Sequence, residues 1–368
     1  MFSKAKYLAI LVFAAGGLST AALACKFCPP ETGPSVLAQF DSTDASVLAE
    51  LVQRADPLAD EPVTRYRIVV VLKGDLHVVQ MGDIFEVPLD VQSPVGTTHL
   101  FFSDDENGQW QNPLGITRQC RSFLELVCRV TPPDEDDRPD DHLDRLVFLL
   151  PYLISSDAQV SESVHGAFSA APWDAIQELK FNLDHKQLVS WIQSDDVTGR
   201  NRRLLFMLLG LCGDRYDLFV VNQALDSRLA SGEGDDLDAI LSAWLSIRGL
   251  EGLDEIESRC LGPEVPLAVK RAVASAFRFL GDQRVDRARI IDSCRLLLND
   301  PRTADYVIED LARWKDWESL DEVLALWNTR DENRWLKYPI LEYLKVCPLP
   351  AARRALQSHD IVNVNRIP

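Results

Sequence analysis

The chain carries no catalytic signature. It lacks HExxH, which would set two zinc-binding histidines on one helix face, and it lacks GxSxG and any Walker loop. Its six histidines, His77, His99, His142, His165, His185 and His359, are scattered, and none pairs with another at metal-ligand spacing. Positive charge is scarce: 38 Lys and Arg stand against 56 Asp and Glu, a formal charge of −18. Such a body repels phosphate backbones and anionic lipid surfaces, which argues against nucleic acid as a partner. The plainer consequence of the charge is solubility outside the cytoplasm. Beyond residue 24 no long uncharged apolar run offers a membrane span. These absences lead to the expectation of a chain that is not an enzyme and takes no cofactor and no metal.

The first residues point to export. Lys4 and Lys6 form a positive start, Tyr7 to Leu18 is apolar but too short to cross a bilayer, and Ala22 and Ala24 are the small residues that signal peptidase I reads. Residues 1–24 are therefore expected to be a signal peptide, with the mature chain starting at Cys25. Lipid anchoring at Cys25 is disfavoured, because Ala22 stands where a large aliphatic residue is needed. The expected location is the periplasm, the cell surface or the exterior.

Composition changes near residue 131. "TPPDEDDRPDDHLD" combines three prolines with an acidic cluster and reads as a linker over 131–142. It has neither the glycine nor the closing glutamate of an EF-hand loop. Residues 25–130 read as β. "TRYRIVVVLKGDL" is rich in β-branched residues, "GDIFEVPLD" follows it, and "THLFFSDDENGQW" holds the hairpin dipeptide Asn107-Gly108. "GITRQCRSFLELVCRV" predicts a strand and then a strand or short helix, while "DASVLAELVQRA" fits neither period cleanly. His99, beside Leu100-Phe101-Phe102, reads as a strand residue with its polar tip in water. Evenly spaced short strands suggest a small barrel or sandwich.

Residues 143–368 are helical and repetitive. "LLFMLLGLCGDRYDLFVVNQAL", "LSAWLSIRGLEGLDEIESRCL", "VASAFRFLGDQRVDRARIIDSC", "VIEDLARWKDWESLDEVLALW" and "ILEYLKVCPLPAARRALQSH" each give an apolar helix, a turn and an amphipathic helix. The turns fall near Gly213, Gly249, Gly281, Lys315 and Pro348, spaced by 32 to 36 residues. A fixed period in that range marks an α-solenoid. The tetratricopeptide signature is absent, and the units are closer to HEAT-like, armadillo-type repeats. Ser319 to Glu322, "SLDE", reads as a capping box. Arg200, Arg202 and Arg203 sit at a helix start, where the macrodipole does not favour cations, so they suggest either an acidic partner such as the linker or a solvated face.

Trp314, Trp317, Trp327 and Trp335 crowd the last repeats. Tryptophans there pack between units, the commoner use, or line a binding surface. Eight cysteines remain in the mature chain. Cys212, Cys260, Cys294 and Cys347, one to a repeat, read as small buried hydrophobes, because neighbouring repeats sit about 8–10 Å apart and a disulfide needs Cα atoms within about 7 Å. For Cys25-x-x-Cys28, haem attachment fails at Pro29, where histidine is required. A redox pair, a lipid anchor and a disulfide staple stay open on the residues alone.

A Cys pair at the mature N-terminus, a strand ending "VLKGD", a "LFF" strand and downstream cysteines together resemble a netrin-like module, the OB-type barrel of the tissue inhibitors of metalloproteinases. That family starts Cys-x-Cys, whereas this chain has Cys-x-x-Cys. The resemblance implies that Cys25 and Cys28 are stapled to Cys120 and Cys128, and it implies an OB-like fold for 25–130. The whole layout resembles a family of exported bacterial proteins with a Cys-x-x-Cys start and a HEAT-like tail, which carries no assigned activity with it. The expected architecture is therefore α+β with two domains, a small β-barrel followed by an all-α solenoid. The expected function is binding or scaffolding of a protein or peptide partner. The competing readings are a thiol–disulfide oxidoreductase through Cys25 and Cys28, and a metalloproteinase-inhibitor-like N-terminal module.

Overall fold

The computed structural model describes residues 34–56, 61–74, 79–104, 109–130, 139–283, 286–329 and 332–357. The signal-peptide segment, Cys25, Cys28, the Asn107-Gly108 dipeptide, His77, His359 and most of the acidic linker lie outside the described residues.

The chain opens with a short helix, α1 (Val36–Ser42), capped by the Ser35 hydroxyl, which accepts from the Ala38 N–H. Five strands follow: β1 (Ala45–Gln53), β2 (Thr64–Lys73), β3 (Ile84–Val87), β4 (Thr98–Ser103) and β5 (Leu114–Gly115). They pair antiparallel in the order β3-β2-β1-β4-β5. The sheet is open, which corrects the expected barrel. Its edge strands have only four and two residues, and the segment after β5 turns into a helix, α2 (Arg118–Val127), rather than a closing strand.

The ambiguity of "DASVLAELVQRA" has a physical cause. As β1 it is the central strand, with both faces covered, so it shows no alternation. On one face Val47, Ala49, Tyr66, Ile68 and Phe101 form a small second core with Phe85 and Trp110 packed against it. On the other face Leu48, Leu100 and Phe102 join α1 and α2. His99 is buried, not wet. Its Nε2 lies 3.0 Å from the Ser93 hydroxyl and its Nδ1 3.4 Å from the Tyr66 hydroxyl. Burial lowers the His99 pKa and pushes that of Tyr66 up to about 12.

From Pro139, inside the expected linker, the described residues are built of helices: α3 (Pro139–Leu149), α4 (Ala158–Ala170), α5 (Trp173–Glu178), α6 (His185–Ile192), α7 (Gly199–Cys212), α8 (Leu218–Ser231), α9 (Leu237–Arg248) and α10 (Leu253–Cys260). Then come α11 (Leu267–Asp282), α12 (Arg287–Leu298), α13 (Pro301–Arg313), α14 (Leu320–Trp327), α15 (Lys337–Val346) and α16 (Pro350–Gln357). The first helices of the expected pairs form a continuous row, α7 on α9, α9 on α11, α11 on α13 and α13 on α15. Contact is not confined to neighbours in that row. Trp173 of α5 meets Phe279 of α11 edge to face, with ring centroids 5.2 Å apart.

The turns fall where the sequence places them. Gly213 and Gly249 end α7 and α9, and Lys315 takes a left-handed conformation (φ 61°) between α13 and α14. Gly281 is the penultimate residue of α11, and the turn follows directly. A Cβ there would sit 2.5 Å from the Trp314 ring, so the glycine is also needed for side-chain packing. Ser319 does sit at the N-cap of α14, but its hydroxyl donates to the Asp316 carboxylate at 2.5 Å, and no capping box forms. Two of the arginines at the start of α7 have partners within the helical part. Arg203 pairs with Asp238 of α9 at 2.7 Å, and Arg202 donates to the Ser194 and Val197 carbonyls.

The core runs without a break from the inner face of the sheet through α2 into the helices. Burying Phe123 and Leu124 of α2 there contributes roughly 1.5–3 kcal/mol each. Polar contacts fix the docking. Leu37 N–H donates to the Ser163 hydroxyl at 3.3 Å, Thr117 donates to the Asp157 carboxylate, and the Gln159 amide bridges Thr117 N–H and Gly115 C=O at 2.9 Å each.

Candidate functional site

A cleft of about 610 Å³ opens where the turn between α10 and α11 faces the turn between α12 and α13. Its apolar walls include Leu261, Leu296 and Pro301, and its charged lining includes Glu257, Lys270 and Asp300. Local sequence places these groups. Asp300 caps α13, accepting from the Arg302 N–H, and Pro301 takes the first helical position, where its missing N–H costs nothing. Lys270 lies in the first turn of α11, and the adjoining turn covers its side chain.

The charge arrangement in the cleft is uneven. Asp300 is held by Arg302: Oδ1 accepts from the Arg302 backbone N–H and Nε at 3.0 Å each and Oδ2 accepts from Nη2 at 2.7 Å. Those hydrogen bonds hold the Asp300 carboxyl down at about 2. Glu257 is likewise occupied, by Arg289 and the Ser293 hydroxyl at 2.6 Å each. Lys270 is 5% exposed, and its ammonium reaches only Asp300 Oδ2, at 3.5 Å. The lysine thus forms an ion pair with Asp300 on the cleft lining.

Three of the four singled-out tryptophans face inward. Trp314 and Trp327 are buried, and Trp317 packs against the core with its ring 5.5 Å from Tyr343. The Trp314 indole N–H donates to Asp282 at 2.9 Å. Trp335 is different. It is 49% exposed, and its indole N–H donates to the carbonyl of Pro301, a residue of the cleft wall, at 3.1 Å. Leu296 on the wall is 46% exposed and Tyr338, one turn beyond Trp335, is 62% exposed. Trp335 is therefore the tryptophan that the fold brings to the cleft. Lys270 had no readable signal, since a lysine in an amphipathic helix looks solvated until the next hairpin closes over it.

The cysteines divide by depth. Cys260, Cys294 and Cys347 are buried, as expected, while Cys212 is half-buried. Among the described residues all six cysteines are free thiols. Cys120 is fully buried and Cys128 is exposed, at opposite ends of α2. Eight residues at 1.5 Å per residue put them about 12 Å apart, too far for a disulfide with each other. Any staple of this module must therefore run from Cys120 or Cys128 to a cysteine outside α2.

One titratable cluster escaped the search for metal-ligand spacing. His185 at the start of α6, Asp214 in the α7–α8 turn and Asp217 at the N-cap of α8 bring ligating atoms within 4.8 Å of one another. His185 Nδ1 lies 2.9 Å from Asp217 Oδ2, which also accepts the Asp214 N–H at 2.8 Å. Those contacts account for the Asp217 carboxylate, and the cluster fastens the α7–α8 turn onto α6. Among the described residues, no helix is long and apolar enough to cross a membrane. No protein-family model, no curated protein and no solved structure matches the chain.

Proposed function

We propose that this chain is an exported, non-enzymatic binding protein whose helical part is a curled solenoid of HEAT-like pairs, presenting the cleft beside Trp335 to a protein partner. The observation that carries the reading is the pair of large apolar side chains left half-exposed at one cleft: Leu296 on its wall, and Trp335, bonded to the wall residue Pro301. Aromatic residues at the rim of a concavity are common anchors of a binding surface. The row from α7 through α15 supports the solenoid, and Ala22-x-Ala24 supports export. On the same reading, Cys25 and Cys28 are stapled to α2 and tie the mature N-terminus to the module.

The test is capture from the cell envelope with the mature protein, run in parallel with Trp335→Ala. A partner retained by the native protein and lost with the variant supports the proposal. Equal recovery by both, or recovery of nothing, overturns it.

A further inference from the structure

The connections between successive helix pairs share one edge of the array. The α10–α11 and α12–α13 turns face each other across the cleft, and Trp335, just before α15, donates to Pro301 at the start of α13. Three apolar side chains stand half-exposed or exposed at this edge: Leu296 near the end of α12, Trp335, and Tyr338 in the first turn of α15. α16 is the second helix of the last pair. It follows α15 after three residues, Cys347 to Leu349, and packs on it. So short a connection folds two helices antiparallel. At 1.5 Å per residue α15 is about 15 Å long and α16 about 12 Å, so Gln357, the last residue of α16, returns to the edge that carries Trp335.

Residues 358–368 continue from that point and lie outside the described residues. We propose that residues 361–367 of this same chain lie along the edge in extended form and cover it until a partner displaces them. The segment has the apolar groups for the task in Ile361, Val362, Val364 and Ile367. Val362 and Val364, two residues apart, share one face of an extended chain, and both are β-branched, which favours that form. At about 3.3 Å per residue they reach roughly 16–23 Å from Gln357. Packed helices sit about 8–10 Å apart, so Trp335 lies about one step along the edge and Leu296 about two. The two valines therefore fall where the exposed side chains are, and both sides gain by leaving water. A segment tethered this close has an effective concentration of millimolar order, so weak contacts suffice to hold it. The arrangement is autoinhibitory: the partner must outcompete the chain's own tail.

This inference rests on the reading of the Trp335 edge as a binding surface, and its test separates the two. The full mature protein is compared with a Val362→Asp, Val364→Asp double variant by oxidative footprinting of Trp335 and Tyr338. Both rings should be protected in the native protein and lose that protection in the variant. Equal oxidation in the two overturns the proposal. Protection that appears only as protein concentration is raised places the segment on a second copy and also overturns it. An acetylated peptide of residues 358–368 is then titrated into the double variant up to millimolar concentration. It should bind, and adding Trp335→Ala or Tyr338→Ala should weaken binding at least about tenfold, the scale of one apolar side chain removed from the contact. The native protein, whose own segment competes, should bind the peptide at least about tenfold more weakly than the double variant. No binding to the double variant, or equal binding to both proteins, overturns the proposal. A partner captured from the envelope through Trp335, equally well by native protein and double variant, leaves the binding reading standing and removes this inference alone.

Discussion

Arg145 of α3 holds Asp41 at the end of α1, with its Nη2 2.6 Å from each carboxylate oxygen and its own side chain almost fully buried. The same guanidinium donates to the Val130 carbonyl at the end of the strand-rich part, 3.3 Å away. One side chain therefore fastens the first helix and the residue before the acidic linker to the helical array.

Removing only one member of this pair leaves a buried charge without its partner. Arg145→Leu should destabilise the chain by about 3 kcal/mol, and Asp41→Asn by a similar amount. The double variant should recover part of the loss. Urea unfolding of the three variants measures it, and additive losses would show that the two residues do not act as a pair.

A second expectation concerns acid. Burial, followed by the charges of Arg200 and Arg203, lowers the His165 pKa to about 4 from an ordinary 6.5. The unfolded chain thus takes up this proton before the folded one does. The contribution is full above pH 6.5 and is lost as pH falls from 6.5 toward 4, amounting to about 3 kcal/mol at the acid end. Burial raises the pKa of Asp41 and Asp238, which gives the opposite slope, so the comparison must be with His165→Gln. Stability curves of native protein and variant that run parallel between pH 4 and 6.5 would refute the assignment.

Two glycines lie under tryptophan rings. A Cβ at Gly252 would sit 2.3 Å from Trp244, and one at Gly281 2.5 Å from Trp314. Each alanine substitution should cost about 1–3 kcal/mol by overpacking, although alanine is the better helix former. Pairing Gly281→Ala with Trp314→Leu should cost less than the sum of the single changes, as thermal unfolding can show.

Thiol reactivity should follow burial. Burial, reinforced by the Asp157 charge, pushes the Cys120 thiol up to about 12, and burial raises Cys260 to about 11 and Cys294 well above its usual range. In the reduced native protein, iodoacetamide at mildly alkaline pH should modify Cys128 first and leave Cys120, Cys260 and Cys294 untouched until denaturant is added. Rapid native labelling of Cys294 would contradict the packing of α12.

The sequence alone determined the local elements. Helix pairs spaced by 32 to 36 residues, the strands "TRYRIVVVLK" and "THLFFS", and the turns at Gly213, Gly249 and Lys315 are written in short-range periodicity and turn chemistry, which neighbouring residues settle among themselves. The tertiary structure decided what distant segments do to each other. It opened the sheet, because the residues after β5 gain more by docking as α2 than by closing a barrel. It buried His99 between Tyr66 and Ser93, turned Trp314 inward and Trp335 outward, and drew His185 onto Asp217 across 32 residues. Lys270 shows the reason most directly. Its own helix presents it as one more solvated cation, and only the turn carrying Asp300, Pro301 and Arg302, thirty residues later, encloses it and brings Asp300 to its ammonium.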